Sequence, residues 1–187
     1  EYMLMGLNTV NPVRIKNADG LEFLNNDVHT EFNEATAAYP TVQCLYIIGS
    51  ENVLVDGNNF TMIDTVSEEG TSSYLYAITF GYDKSTMISN NNFYVSTLSG
   101  MDSAGTAYAL QGVESELSII GNNITCISNG PNIGIYLTSM MGESSDVDIE
   151  YNNINVTGAA ETGNQWALIS GIEITNGNAK IYNNTIY

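Results

Sequence analysis

Positively charged residues are scarce in this 187-residue chain, with four Lys plus Arg and one His against 21 Asp plus Glu. The formal net charge is −17. Neutralising the phosphates of a nucleic acid needs clustered Lys and Arg, and docking on an anionic membrane needs them too. The scarcity therefore argues against both kinds of partner. A hydrophobic fraction of 43% is still high enough for a folded body beneath an acidic coat.

Cysteines and long apolar runs are also lacking. Cys44 and Cys126 lie 82 positions apart (126 − 44) and belong to no CxxC pair, so the sequence offers no metal or redox motif of that kind. No stretch approaches the roughly 18 consecutive apolar residues of a membrane span, so we expect no membrane insertion. Alternation with neighbouring apolar positions places Cys126 in the core and Cys44 in solvent, which puts a disulfide out of reach.

What the chain has instead is a repeated phrase built on asparagine. Six asparagines recur at intervals of 32, 33, 31, 30 and 32 residues, each three positions after an apolar residue and two before another. They are Asn26, Asn58, Asn91, Asn122, Asn152 and Asn184. Apolar residues alternate with polar ones on both sides, which indicates strands rather than helices. A third apolar phrase completes each period, with predicted inward residues Ile15, Ile47, Ile78, Leu110, Ile135 and Ile172.

Three short strands per period predict an all-β, right-handed, single-stranded parallel β-helix of about six coils over residues 13–187. Residues 1–12 are expected to form an irregular N-terminal segment. The repeated asparagines are expected to hold left-handed backbone at a corner between two strands and to stack as a hydrogen-bonded ladder. The chain starts without an initiator Met, so we expect the solenoid to be part of a longer one.

The phrases "GIYLTS…DVDIEYNNI" and "SGIEITNGNAKIYNNTIY" resemble the coils of the pectate-lyase-like superfamily of parallel β-helix proteins. The acidic, Asn- and Tyr-rich composition with few cations is similar to the repeat regions of adhesin-like surface proteins of archaea. The first resemblance implies the fold. The second implies an extracellular, cell-surface location and cell-surface glycans or proteins as partners.

Catalytic motifs of this superfamily are mostly missing. Polygalacturonase-like enzymes carry Asn-Thr-Asp, Asp-Asp, Gly-His-Gly and Arg-Ile-Lys phrases in separate coils. Only "RIK" occurs here, at residues 14–16, where Ile15 already has a place in the core. We therefore predict no catalytic residues and a non-enzymatic adhesin-like or structural module with a loop-rich acidic face. The alternative is a polysaccharide lyase or glycoside hydrolase of the β-helix type.

Ligand-binding candidates lie where insertions return to the third strand of a coil. They are the acids Glu68, Glu69 and Asp102 and the aromatics Tyr76, Tyr108 and Trp166. Rings beside carboxylates suit carbohydrate or protein recognition. The alternative is that the rings merely cover the core.

Two further expectations concern metal ions and self-association. Asp146, Asp148 and Glu150 alternate with apolar residues on one strand, either as a solvated face or as a Ca²⁺ site. The strand edge left open after the final coil predicts end-to-end self-association.

Overall fold

The chain folds into a stack of rungs made of parallel strands. Equivalent residues of successive rungs lie 30 to 33 positions apart in the sequence and are hydrogen-bonded to each other. The structure is a computed structural model that describes residues 9–32, 41–65, 73–97, 105–128, 130–138, 146–158 and 168–187. Three parallel sheets enclose the core, so the protein is an all-β parallel solenoid, as the repeat predicted. Within the described ranges, no helix has the length and apolar character needed to span a membrane.

Each sheet takes one strand from each rung of the solenoid. The first sheet contains β1 (Thr9–Val10), β2 (Val13–Lys16), β5 (Thr41–Ile48), β8 (Tyr74–Gly81), β11 (Thr106–Val113), β14 (Asn132–Thr138) and β17 (Ile169–Thr175). The second contains β3 (Glu22–Leu24), β6 (Leu54–Asp56), β9 (Thr86–Ser89), β12 (Leu117–Ile120), β15 (Asp146–Glu150) and β18 (Asn178–Tyr182). The third contains β4 (Asp27–Phe32), β7 (Asn59–Asp64), β10 (Asn92–Thr97), β13 (Asn123–Ser128), β16 (Asn153–Gly158) and β19 (Thr185–Ile186).

Inward side chains form columns because the parallel register places equivalent residues above one another. In the third sheet, Phe60 and Phe93 are register partners whose rings stack with centroids 5.1 Å apart and planes 8° apart. Ile124 and Ile154 continue this column, and both are 0% exposed. Burying a side chain of this size stabilises the fold by about 1.5–3 kcal/mol. The inward positions predicted after the ladder asparagines are therefore confirmed in these four middle rungs, whereas Val28 is partly buried and Ile186 is exposed in the end rungs.

The strands of the first sheet break the simple alternation, and this corrects two predictions. Cys44 and Leu45 are consecutive and both 0% exposed, so Cys44 faces the core and not the solvent. Both cysteines are buried free thiols. Ile47 is in register with Phe80, whereas Leu45 is in register with Ile78, so the six predicted inward residues belong to two columns rather than one. The extra buried position before Leu45 and its register partners is small in four successive rungs, being Cys44, Ala77, Ala109 and Gly134.

The inner asparagine ladder is confirmed in its hydrogen bonds. The side-chain oxygen of Asn91 accepts from the backbone N–H and the side-chain amide of Asn58, at 2.9 Å each. The amide of Asn91 then donates to the side-chain oxygen of Asn122 at 3.0 Å and to the carbonyl of Val55 at 2.9 Å. The same pattern runs from Asn26 to Asn184. Neighbouring rungs therefore satisfy amides that would otherwise be costly to bury.

The left-handed backbone lies one residue before each ladder asparagine, so the prediction that the ladder residue itself adopts it was wrong. The six preceding residues have φ between 53° and 67°, and they are Asn25, Gly57, Asn90, Gly121, Tyr151 and Asn183. A positive φ at that position turns the chain through the corner. The ladder residue is thereby left free to direct its side chain into the interior.

A second ladder, which the sequence analysis missed, runs outside the first. The amide of Asn92 donates to the side-chain oxygen of Asn59 at 2.8 Å, and that of Asn123 donates to Asn92 at 2.8 Å. Asn59 and Asn153 extend this outer ladder by donating to Asp27 and Asn123. In the four middle rungs the two consecutive asparagines therefore serve two parallel ladders, one buried and one exposed.

The two ends of the solenoid differ from its middle. About six coils were predicted, and the structure forms about four complete turns, although two of its sheets are six strands deep. In the final rung, Ile181 and Ile186 are 49% and 50% exposed, while equivalent residues in the middle are buried. At the other end, Thr9–Val10 pairs with Thr41 and Val42, so strand structure begins within the segment predicted to be irregular.

Candidate binding surface

A row of tyrosine rings crosses the outer side of the first sheet. Tyr76 on β8 and Tyr108 on β11 are register partners, with ring centroids 5.1 Å apart and planes 2° apart. The ring of Tyr136 on β14 comes next in this row, with its centroid 5.7 Å from that of Tyr108 and its plane tilted by 44°, although Tyr136 is in register with Gln111 and not with Tyr108. All three rings are partly buried. We call these three residues the tyrosine row; strand register joins Tyr76 to Tyr108, and ring contact joins Tyr108 to Tyr136.

The hydroxyl groups of Tyr76 and Tyr108 remain protonated. Burial raises the pKa of Tyr76, and the neighbouring Tyr108 raises it further. Burial also raises the pKa of Tyr108, with Tyr136 and Glu173 as the next causes. The ordinary pKa of tyrosine is already about 10, so both hydroxyls keep an O–H to donate at physiological pH. The row therefore combines apolar ring area with hydrogen-bonding groups.

Charged and amide side chains flank the row on the same face. Arg14 lies over the ring of Tyr46, with its guanidinium carbon 5.2 Å from the ring centroid. At the other end, Glu173 on β17 is in register with Tyr136. Between them, the Gln43 amide donates to the Thr79 hydroxyl at 3.2 Å. The tyrosine face, as we define it, consists of Gln43, Tyr46, Tyr76, Thr79, Tyr108, Gln111, Tyr136 and Glu173.

Two of the six predicted ligand-binding residues are brought together here, namely Tyr76 and Tyr108. The other four, Glu68, Glu69, Asp102 and Trp166, lie outside the described residues. Strands β8 and β11 begin shortly after residues 66–72 and 98–104, so the two tyrosines stand near the points where those segments join the first sheet.

The structure also assembles residues that the prediction of the site had left out. Tyr136, Tyr46 and Glu173 belong to the same face, yet none was among the predicted ligand-binding residues. Alternation within "GIYLT" and "GIEIT" was the available signal, because it places Tyr136 and Glu173 on the outer side. Which outward residues become neighbours depends on the register between rungs, which the variable insertions obscure.

The three predicted metal ligands lie on β15 without converging on a common point of binding. Asp146 is exposed, Asp148 lies 3.7 Å from the ammonium of Lys180, and Glu150 interacts with the hydroxyl of Tyr182. Among the residues that the structure describes, no group of three or more His, Cys, Asp or Glu is arranged to hold a metal ion. The Ca²⁺ site therefore stays a prediction without support from this geometry.

Buried carboxylates elsewhere are engaged in hydrogen bonds that hold the corners of the solenoid. Asp83 accepts from the backbone N–H groups of Ser50 at 2.7 Å and Gly81 at 2.9 Å. Asp64, 0% exposed, accepts from the hydroxyls of Ser73 and Thr97. These contacts join a strand to the rung beside it or to the chain segment that follows.

Comparisons with known proteins add no relative to this architecture. Neither a protein-family model, nor a curated protein, nor a solved structure was found to match the chain. The resemblance to the pectate-lyase-like superfamily therefore rests on the parallel solenoid and its repeated phrase, and the adhesin resemblance on composition. On these observations, the chain is a parallel β-solenoid with an inner asparagine ladder and a tyrosine face.

Proposed function

We propose that this chain is a non-enzymatic module of an adhesin-like cell-surface protein that binds carbohydrate or protein through its tyrosine face. The observation that carries the proposal is the tyrosine row, because three rings on successive rungs form a continuous outward strip. Tyrosine offers a large contact area at a small cost in conformational entropy and a hydroxyl that fixes orientation. Such residues are enriched in the energetically important parts of interfaces.

The rigidity of the scaffold supports the same function. Ladder hydrogen bonds and stacked aliphatic columns connect each rung to its neighbours, so the outward residues of the first sheet keep fixed spacings. A preorganised surface loses little conformational entropy on binding. The net charge of −17 favours neutral or cationic ligands over acidic ones, because like charges repel.

The test is binding of the purified chain to a glycan array and to a panel of surface proteins, each with and without Ca²⁺. We expect Tyr76→Ala and Tyr108→Ala to weaken binding about tenfold or more, as truncation of a central interface residue does. Tyr94→Ala is the matched control, since Tyr94 is a partly buried tyrosine on β10 of the third sheet. Equal binding by all three variants would show that the tyrosine face is not the binding surface.

The same samples test the enzymatic alternative. Bound polysaccharides are incubated with the chain and assayed for newly formed chain ends. Turnover that disappears in Asp148→Asn would replace the proposed binding module with a hydrolase or lyase. Binding without turnover agrees with the proposal.

A further inference from the structure

Glu173 carries a carboxylate oxygen that nothing in the described structure satisfies. Its Oε2 atom is enclosed and has no hydrogen-bond partner within the described ranges. A carboxylate normally accepts several hydrogen bonds, and an enclosed oxygen without one is costly. The residue as a whole is only partly buried, so the rest of its side chain is in contact with solvent. This oxygen therefore marks a position at which a ligand can supply the hydrogen-bond donor.

The immediate neighbours of Glu173 are tyrosine rings. Tyr136 is its register partner on β14, and neighbouring strands lie only about 4.8 Å apart. The charge of Glu173 also acts on the Tyr108 hydroxyl, whose pKa it helps to raise. Tyr108 and Tyr136 are tilted by 44° rather than stacked flat. A carboxylate beside two tilted aromatic rings is a favourable environment for an organic cation, which ring faces and carboxylate both attract.

None of the chain's own cations fills this place. All four Lys and Arg residues lie within the described ranges. Arg14 sits over Tyr46 near the opposite end of the face, and Lys180 is paired with Asp148 on the second sheet. The net charge of −17 would steer a positively charged partner toward the protein.

We propose that Glu173, Tyr108 and Tyr136 form a site for one Lys or Arg side chain of a partner protein. The proposal rests on the proposed function of the tyrosine face and specifies the partner chemistry for one end of it. We assign the positively charged group to a protein side chain rather than to an amino sugar, because a slender aliphatic stem can carry its charged end between the rings. The amino group of a pyranose is attached directly to a bulky ring.

The experiment is an NMR titration of the full chain with a tripeptide probe, acetyl-Gly-Lys-Gly-amide. The neutral control is acetyl-Gly-Gln-Gly-amide, and glucosamine is a third arm that presents the same charge on a sugar. Ring resonances of tyrosine report the position of binding. Glu173→Gln removes the charge with little change in shape. Glu150→Gln is the matched control, because Glu150 is also a partly buried outward carboxylate but lies on β15 of the second sheet.

We expect saturable shifts of the Tyr108 and Tyr136 rings with the lysine peptide and none with the glutamine peptide. Glu173→Gln should weaken binding about tenfold or more, the loss expected for a charged hydrogen bond, and Glu150→Gln should leave it unchanged. Equal weakening by both variants would mean diffuse attraction to an acidic surface and would overturn the proposal. Binding of glucosamine without the lysine peptide would overturn it as well.

The result also separates this inference from the proposed function. If glycans or surface proteins bind and Tyr76→Ala abolishes that binding, the tyrosine face stands as a binding surface. Failure of the lysine peptide would then reject the cation site alone. Loss of both kinds of binding would reject the two together.

Discussion

The side-chain oxygen of Asn122 accepts two hydrogen bonds from Asn91, one from the backbone N–H at 2.9 Å and one from the side-chain amide at 3.0 Å. The amide of Asn122 in turn donates to the oxygen of Asn152 at 3.0 Å. Each ladder residue is thus an acceptor for one rung and a donor for the next. The inner ladder is one continuous hydrogen-bond network, so the loss of one member leaves unsatisfied groups in a neighbouring rung.

Substitution of a ladder residue should be far more costly than substitution of the asparagine next to it. Asn122→Ala removes the acceptor from two buried N–H groups of Asn91, one of the backbone and one of the side-chain amide, at about 1–3 kcal/mol each, so we expect the free energy of unfolding to fall by about 3 kcal/mol or more. Asn123→Ala removes only exposed bonds of the outer ladder and should cost less than about 1 kcal/mol. Urea denaturation measures both, and similar losses would contradict the distinction between the ladders.

The buried Asp83 should make stability depend on pH. Its side chain is 1% exposed, and burial raises the pKa of its carboxyl above the ordinary 3.8. A group whose pKa is raised on folding stabilises the protein while protonated, and that contribution is lost as the pH rises through the folded-state pKa. The stability of the wild type relative to Asp83→Ser should therefore decline as the pH is raised from below 3.8 toward neutrality.

Serine is the appropriate replacement because Ser50 and Ser115 occupy this position in the adjacent rungs. Each accepts a backbone N–H from its neighbour, Ser50 from Ala18 and Ser115 from Asp83. Asp83→Ser can accept the N–H of Ser50 in the same way without a buried charge. Denaturation of both proteins over a series of pH values gives the comparison. A difference that does not change with pH would show that Asp83 titrates as it does in the unfolded chain.

The two thiols should be unreactive in the folded protein. Burial raises the pKa of Cys44 to about 11 and that of Cys126 to about 12, and a hydrogen bond with Thr30 only partly offsets the effect at Cys44. Because the thiolate is the reactive form, labelling by a thiol-specific reagent near neutral pH should be very slow. The same chain in denaturant should react at both cysteines. Rapid labelling of Cys44 in the folded protein would contradict its placement in the core.

Gly134 should not tolerate a side chain. A Cβ atom at this position would lie 2.7 Å from the carbonyl oxygen of Gly171 and 2.7 Å from the Cγ2 atom of Ile154. Gly134→Ala should therefore destabilise the fold by about 1–3 kcal/mol, the usual cost of overpacking. Gly20→Ala is a useful contrast, because no atom lies within 4 Å of the added Cβ and only the left-handed φ of 68° opposes it. Thermal unfolding that is unchanged by Gly134→Ala would show that the rungs can separate to admit a methyl group.

The sequence by itself determined the period, the three strands per rung and the inner ladder. Asn58, Asn91 and Asn122 recur at nearly constant intervals, and the apolar residues beside them alternate with period two. Parallel stacking of identical units converts such a period directly into columns, because equivalent residues of successive rungs become neighbours. In a solenoid, residues at equivalent positions of the repeat become neighbours in space. The repeat therefore indicates the contact between Phe60 and Phe93 before the structure is known.

Only the tertiary structure decided which residues of the first sheet face the core and which residues become neighbours in rungs of unequal length. The side of Cys44 was predicted wrongly because two consecutive residues of β5, Cys44 and Leu45, are both buried, which breaks the alternation from which its side was inferred. The left-handed residue proved to be the one before each ladder asparagine, since the side chain of that asparagine must point inward to bond. The tyrosine row and its neighbour Glu173 depend on register across insertions of different length, and only hydrogen bonding between the rungs sets that register.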